Sequence, residues 1–254
     1  MKDFANRTLV AGDGLSVHQL AGESDHIHEG EDKLNRVLAQ NSIKSLFLDG
    51  PAGRLETLLN AGAESATHAA LVCHPHPLFG GTLHNKVVFH AMKALNSFGF
   101  PVLRFNFRGT GLSQGEHDHG IGEMDDVRTA LDWLDGEFQL PLVFAGFSFG
   151  AAVGLPVACA DARVRAVIGL GIPIAPIDER AYDFSCLQTC GKPKLFVSGA
   201  RDQFGPRAQL QRLVESLPEP RKLVIVEGAD HFFEGRLREL REAVETWIRE
   251  MAIA

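Results

Sequence analysis

The pentapeptide Gly146-Phe147-Ser148-Phe149-Gly150 sets a hydroxyl between two glycines, directly after the apolar run Leu142–Ala145 and before the small-residue stretch Phe149–Ala160. A serine on a sharp turn between a strand and a helix holds its hydroxyl clear of the backbone, ready to attack an electrophilic carbon. Side chains two residues to either side would strike the neighbouring strand or helix, and glycine at both places removes the collision. The helix that follows aims its N-terminal dipole at any oxygen that gains negative charge. A serine hydroxyl is a weak nucleophile alone. It needs a base, and the base needs a group that fixes its tautomer. Leu195–Ser198 leads through Gly199-Ala200-Arg201 into Asp202, and Leu223–Val226 leads through Glu227-Gly228-Ala229-Asp230 into His231. Both residues then stand past the carboxyl ends of buried strands, where the sites of open sheets gather. Asp230 is a rival acid, but its adjacency to His231 places it poorly for bonding the same ring. The trio Ser148, His231 and Asp202, as nucleophile, base and orienting acid, is suited to acyl transfer.

A tetrahedral intermediate also needs N–H donors for its oxyanion. Phe149, next after the serine, is expected to supply one. The other is expected from Cys73-His74-Pro75-His76-Pro77-Leu78-Phe79-Gly80-Gly81-Thr82, which follows the apolar run Ala69–Cys73. Pro75 and Pro77 have no N–H to give, so His76 is the expected donor and Leu78 the other candidate. The imidazoles of His74, His76, His84 and His90 raise the question of a metal, but no acid or thiolate cluster accompanies them. A hydrogen-bonding role in fixing the loop is expected instead. His26 and His28 lack a third ligand as well. Gly109 and Gly111, in the run Arg104 to Ser113, resemble a phosphate cradle without the Lys-Ser/Thr continuation of one. A structural loop beside the site is the expectation, with neither metal nor cofactor.

These residues need a scaffold that brings strand ends together. Ser45–Leu48 and Leu55–Leu59 flank Asp49-Gly50-Pro51-Ala52-Gly53 and predict a hairpin with a longer loop. Ala69–Cys73, Val102–Phe107, Leu142–Ala145, Val164–Leu170, Leu195–Ser198 and Leu223–Val226 are strand-like runs. Helical spacing falls between or after them at His84–Phe98, Gly122–Leu134, Phe149–Ala160, Ala208–Leu217 and Arg236–Ile248. Such alternation predicts an α/β fold: a mostly parallel, doubly wound sheet with a leading antiparallel hairpin and helices on both faces. Residues 1–44 are polar and acidic with little apolar period, and only Lys33–Gln40 suits a short helix. They read as an N-terminal appendage to a catalytic domain spanning residues 45–254.

The composition is that of an ordinary globular protein, 45% hydrophobic and 22% charged. A formal net charge of −7 argues against nucleic acid as a partner. The first ten residues lack the apolar core of a signal peptide, and no apolar run reaches membrane-spanning length, so a protein of the cytoplasm is expected. Cys73 and Cys159 lie in apolar runs. Cys186 and Cys190 are expected as free thiols, with a disulfide the alternative.

Together, His-Pro-His-Pro-Leu-x-Gly-Gly-Thr, Phe-Asn-Phe-Arg-Gly and Gly-Phe-Ser-Phe-Gly resemble the α/β-hydrolase superfamily. More narrowly they are similar to its bacterial branch related to dienelactone-hydrolase-like and acyl-peptidase-like enzymes, over about residues 45–250. The resemblance implies a cofactor-free serine hydrolase acting on a small-molecule carboxylic ester. Serine rather than cysteine as nucleophile departs from dienelactone hydrolases proper. The stretch from Leu170 to Lys192 is too short for a large lid, which points to short acyl chains. Thioesterase, peptidase or perhydrolase chemistry on the same trio is the second reading, and a non-catalytic binding protein the third. Assembly into a homo-oligomer is left open.

Overall fold

The computed structural model describes residues 42–175 and 181–251; His26, His28 and the helix expected over Lys33–Gln40 lie outside them. β1 (Ile43–Gly50) and β2 (Gly53–Asn60) form an antiparallel pair, with Ile43 opposite Asn60 and Gly50 opposite Gly53. The longer loop expected here is a tight turn. Pairing continues through Asp49 and Gly50, so Pro51 and Ala52 alone reverse the chain, and Gly53 takes a φ of +114° that suits glycine.

From β3 (Ala69–Cys73) onward the elements follow as α1 (Lys86–Asn96), β4 (Val102–Phe105), α2 (Gly122–Phe138), β5 (Leu142–Phe147) and α3 (Phe149–Ala160). Then come β6 (Val164–Leu170), β7 (Lys194–Gly199), α4 (Arg207–Ser216), β8 (Arg221–Val226) and α5 (Leu237–Glu250). The strands make one eight-stranded sheet in the order β1-β2-β4-β3-β5-β6-β7-β8. β2 runs antiparallel to both of its neighbours, and the remaining pairs are parallel. This is the doubly wound sheet with a leading hairpin that the alternation implied. Helix ends moved where local chemistry decided: α1 starts late because the Asn85 side chain accepts the Val87 N–H at 2.9 Å and caps it.

Every residue of β3, β4 and β5 is buried, because both faces of the sheet are covered. Successive side chains point to opposite faces. Leu71 and Phe144 join the core under α2, α3 and α4, while Ala70 and Val143 join the core under α1 and α5. In α5, Leu240, Val244, Trp247 and Ile248 supply the buried stripe at helical spacing. Among the described residues no helix is long and apolar enough to cross a membrane.

Candidate active site

β5 runs straight into the elbow. The Ser148 N–H still donates to the Leu170 carbonyl of β6 at 2.9 Å, continuing the strand pairing. The chain then breaks direction at Ser148, with φ +53° and ψ −117°. A residue with a side chain held there stores roughly 1–3 kcal/mol of strain. α3 begins at the next residue, and the Ser148 carbonyl accepts the N–H groups of Ala151 and Ala152. A Cβ on Gly146 would fall 2.6 Å from the Ala151 Cα, and one on Gly150 would fall 2.5 Å from the His74 carbonyl oxygen. The glycines therefore let α3 close on β5 and let the elbow press against the loop that follows β3.

β7 and β8 end beside this elbow. His231 Nε2 lies 3.0 Å from Ser148 Oγ, and His231 Nδ1 lies 2.9 Å from Asp202 Oδ2. Ser148, Asp202 and His231 are all at most 6% exposed. The second Asp202 oxygen accepts the Phe204 N–H at 2.9 Å and the Gly205 N–H at 3.2 Å. A carboxylate can only accept, so Nδ1 carries the ring proton and Nε2 turns its lone pair to the serine hydroxyl. Phe147, Phe204 and Phe232 pack around the imidazole, with centroids 5.1, 4.7 and 5.1 Å away. Asp230 is engaged elsewhere: its Oδ1 accepts the N–H groups of Phe232 at 3.0 Å and Glu234 at 3.1 Å.

The loop after β3 is held by buried polar groups. His74 Nδ1 lies 2.6 Å from the Pro75 carbonyl, and Nε2 accepts the Phe107 N–H at 3.0 Å. Complete burial drives its pKa down to about 4, so the ring is neutral and both nitrogens serve backbone groups. Arg104 donates to the Leu83 carbonyl at 3.1 Å, and the Asn106 Oδ1 accepts the Leu83 N–H at 2.8 Å. Asn106 Nδ2 donates in turn to Glu56 Oε2 at 2.7 Å, and the Arg108 guanidinium bonds the Asp126 carboxylate at 2.7 Å. The run from Arg104 thus clamps the loop against β2 and α2. His76 packs its ring 4.7 Å from that of Phe149, bringing the loop against the first turn of α3. The Leu78 N–H is already donated to His76 Nδ1 at 3.2 Å. Phe149 is the first residue of α3, where an N–H has no acceptor within the helix.

Residues 69–253 match the alpha/beta hydrolase domain family. The chain belongs to the alpha/beta hydrolase family. An uncharacterized protein of Rickettsia prowazekii is 35% identical over 211 residues, 80% of this chain and 87% of that protein. A Coxiella burnetii alpha-beta serine hydrolase homologue is 38% identical, covers 80% of this chain and 96% of its own, and superposes with a TM-score of 0.72. A Xanthomonas campestris protein described as an a/b serine hydrolase without lid is 33% identical, covers 83% of this chain and 95% of its own, and has a TM-score of 0.73.

In this hydrolase a cavity of about 330 Å³ opens on Ser148 and His231. Phe79, Phe149, Tyr182, Phe204 and Phe232 give it aromatic walls, and Asn85 and Gln203 add amide groups. A second cleft of about 370 Å³ shares Asn85 and Phe232 with it and is more polar, lined by His84, Lys86 and Glu234 among others. Apart from Phe149, the sequence reading missed these aromatic wall residues, since isolated aromatics in loops carry no local signal. It also missed Glu123, a fully buried acid in the first turn of α2. Glu123 accepts the Asp118 N–H at 2.8 Å and the Gly120 N–H at 2.7 Å, and lies 2.8 Å from His117 Nδ1. The His117 ring is 5.0 Å from that of His76 and 5.6 Å from that of Phe149. An acid opening a helix behind a His-x-His was the available clue. Among the described residues no group of three or more His, Cys, Asp or Glu side chains is disposed to hold a metal ion.

Proposed function

We propose that this chain is a serine hydrolase that cleaves carboxylic esters through an acyl-enzyme on Ser148. The observation that carries the reading is the buried chain of contacts from Ser148 Oγ to His231 Nε2 at 3.0 Å and from His231 Nδ1 to Asp202 Oδ2 at 2.9 Å. Ser148 attacks the ester carbonyl while His231 takes its proton, and Asp202 stabilises the imidazolium that forms. The N–H groups of Phe149 and His76 receive the oxyanion; the commitment of the Leu78 N–H to the His76 ring favours His76 over Leu78. His231 then protonates the departing alcohol, and a water activated by the same ring releases the acid. Residues 45–254 make up the catalytic unit in this reading. The proline-flanked histidine loop supports a reading within the bacterial branch that the motifs resemble.

The cavity of about 330 Å³ is at the small end of ligand pockets and is mostly aromatic. Its size supports a short or compact acyl group, with the more polar cleft beyond Asn85 and Phe232 taking the alcohol. The solved relative without a lid fits an open site of this kind. The test is labelling with a fluorophosphonate, followed by a panel of nitrophenyl esters from acetate to decanoate with a thioester and a peptide alongside. Expected are a single adduct on Ser148, none in Ser148→Ala, and kcat/KM highest for the short esters. A labelled Ser148 with turnover of the thioester or peptide alone would keep the nucleophile and overturn the ester assignment.

A further inference from the structure

The segment between β4 and α2 reaches back to the elbow. Gly109, with φ +70°, leaves it room: a Cβ there would fall 3.1 Å from the His117 backbone nitrogen. Further on, a Cβ on Gly120 would fall 3.3 Å from Val153 of α3. The segment is thus seated against α3, and Glu123 fastens it from the first turn of α2. One Glu123 oxygen accepts the Asp118 N–H at 2.8 Å and the other accepts the Gly120 N–H at 2.7 Å. Asp118 Oδ2 in turn accepts the Gly122 N–H at 3.0 Å. The fastened segment carries His117, whose side chain is only 8% exposed. Its Nδ1 lies 2.8 Å from Glu123 Oε1, yet neither ring nitrogen is aligned with a hydrogen-bond partner among the described residues. Packing therefore holds the ring. Its centroid is 5.0 Å from that of His76 and 5.6 Å from that of Phe149, and those two rings are 4.7 Å apart. Three rings from three separate segments meet here: the loop after β3, the first residue of α3 and the approach to α2.

We propose that His117 is a positioning residue for the oxyanion hole. Its ring, on the segment that Glu123 fastens, sets the loop after β3 against the first turn of α3, so that the His76 and Phe149 N–H groups converge on one oxygen. The inference rests on the serine-hydrolase reading, in which those two groups are the donors. Donors act on an oxyanion at about 2.7–3.1 Å, and a displacement of about 1 Å in such a site costs about a hundredfold in rate. Holding the ester in the cavity before attack needs no such convergence, so the loss falls on kcat and leaves KM in place.

The test uses the full-length protein and a short nitrophenyl ester, with fluorophosphonate labelling of Ser148 in the parent as the check on the underlying reading. In His117→Ala, kcat should fall about 10- to 100-fold with KM within about threefold of the parent. Affinity for a trifluoromethyl ketone should fall by the same factor as kcat/KM, because its adduct on Ser148 sets a negative oxygen at the two N–H groups. His117→Phe restores a ring and should return kcat to within about fivefold of the parent. Glu123→Ala alters none of the three rings and should lower kcat in the same direction. His117→Gln, which keeps much of the volume without a ring, carries the expectation of the alanine variant should that variant fail to fold. A merely structural role would lower the melting temperature and leave kcat per folded molecule unchanged. A ringless variant with kcat and ketone affinity within about twofold of the parent, or with the loss carried by KM alone, overturns the proposal, while a labelled Ser148 keeps the hydrolase reading. A parent with neither label nor turnover overturns the reading on which the proposal stands.

Discussion

His231 has two aspartates near it in the chain, Asp202 and its immediate neighbour Asp230, and the two hold different partners. Asp202 bonds the ring nitrogen at 2.9 Å, whereas Asp230 accepts two backbone N–H groups of its own loop. Asp202→Asn puts an amide opposite Nδ1 and favours the tautomer that cannot take the serine proton. Its kcat should fall by about three to four powers of ten with the fold retained. In Asp230→Asn the side-chain oxygen still accepts both N–H groups, so the loss should stay below about tenfold. Steady-state ester kinetics of the two variants decide it; reversed losses would make Asp230 the orienting acid. The chain order of Ser148, Asp202 and His231 was legible in the sequence because each follows a strand-like run. The distances were not, since 83 residues separate Ser148 from His231.

At the scale of elements, the loop from β3 to α1 is shaped from beneath by the strand beside it. His74 spends both ring nitrogens on backbone groups, and Phe107 is one of its partners. Unfolded, an imidazole takes its proton near pH 6.5; in the fold burial lowers that of His74 to about 4. Between those values the unfolded chain binds more protons than the native one, so stability is lost as pH falls from about 6.5 toward 4. Above 6.5 this group has no effect on the slope. The full loss is on the order of 3 kcal/mol. His74→Gln should be less stable than the parent at pH 7, and the gap should narrow as the pH is lowered toward 4. Urea unfolding of both proteins at stepped pH measures this; a gap that stays constant would mean that His74 does not titrate in the unfolded chain alone. The sequence reading anticipated a loop-fixing role for these histidines. It had no means to pick the acceptor, because Phe107 lies 33 residues away.

At the scale of the whole molecule, parallel pairing from β4 to β8 brings the ends of β3, β5, β7 and β8 to one edge of the sheet. In the proposed mechanism nucleophile, base, orienting acid and oxyanion loop all come from that edge, and His231 carries every proton transfer. Exhaustive chelation should therefore leave ester turnover unchanged. Activity that vanishes with chelator and returns with zinc would make the loop histidines ligands, and the measurement is a chelator titration followed by add-back. The net charge of −7 bears on partners and solubility and leaves the fold undetermined.

The sequence by itself determined the alternation of strands and helices, the elbow and the chain order of the candidate trio. Those features are local: a run of apolar residues, a pair of glycines that a turn requires, an acid or histidine just past a strand. Even the tight turn at Pro51 and Ala52 was misjudged only in length, because cross-strand pairing set where it closed. Tertiary structure alone decided what depends on distant contacts. It chose Asp202 over Asp230 at the ring, committed the Leu78 N–H to His76, and set His117, beside Glu123, against the ring of His76. Hydrogen bonds and proximity between residues far apart in the chain are fixed by how the sheet is wound, and no short stretch of sequence records that.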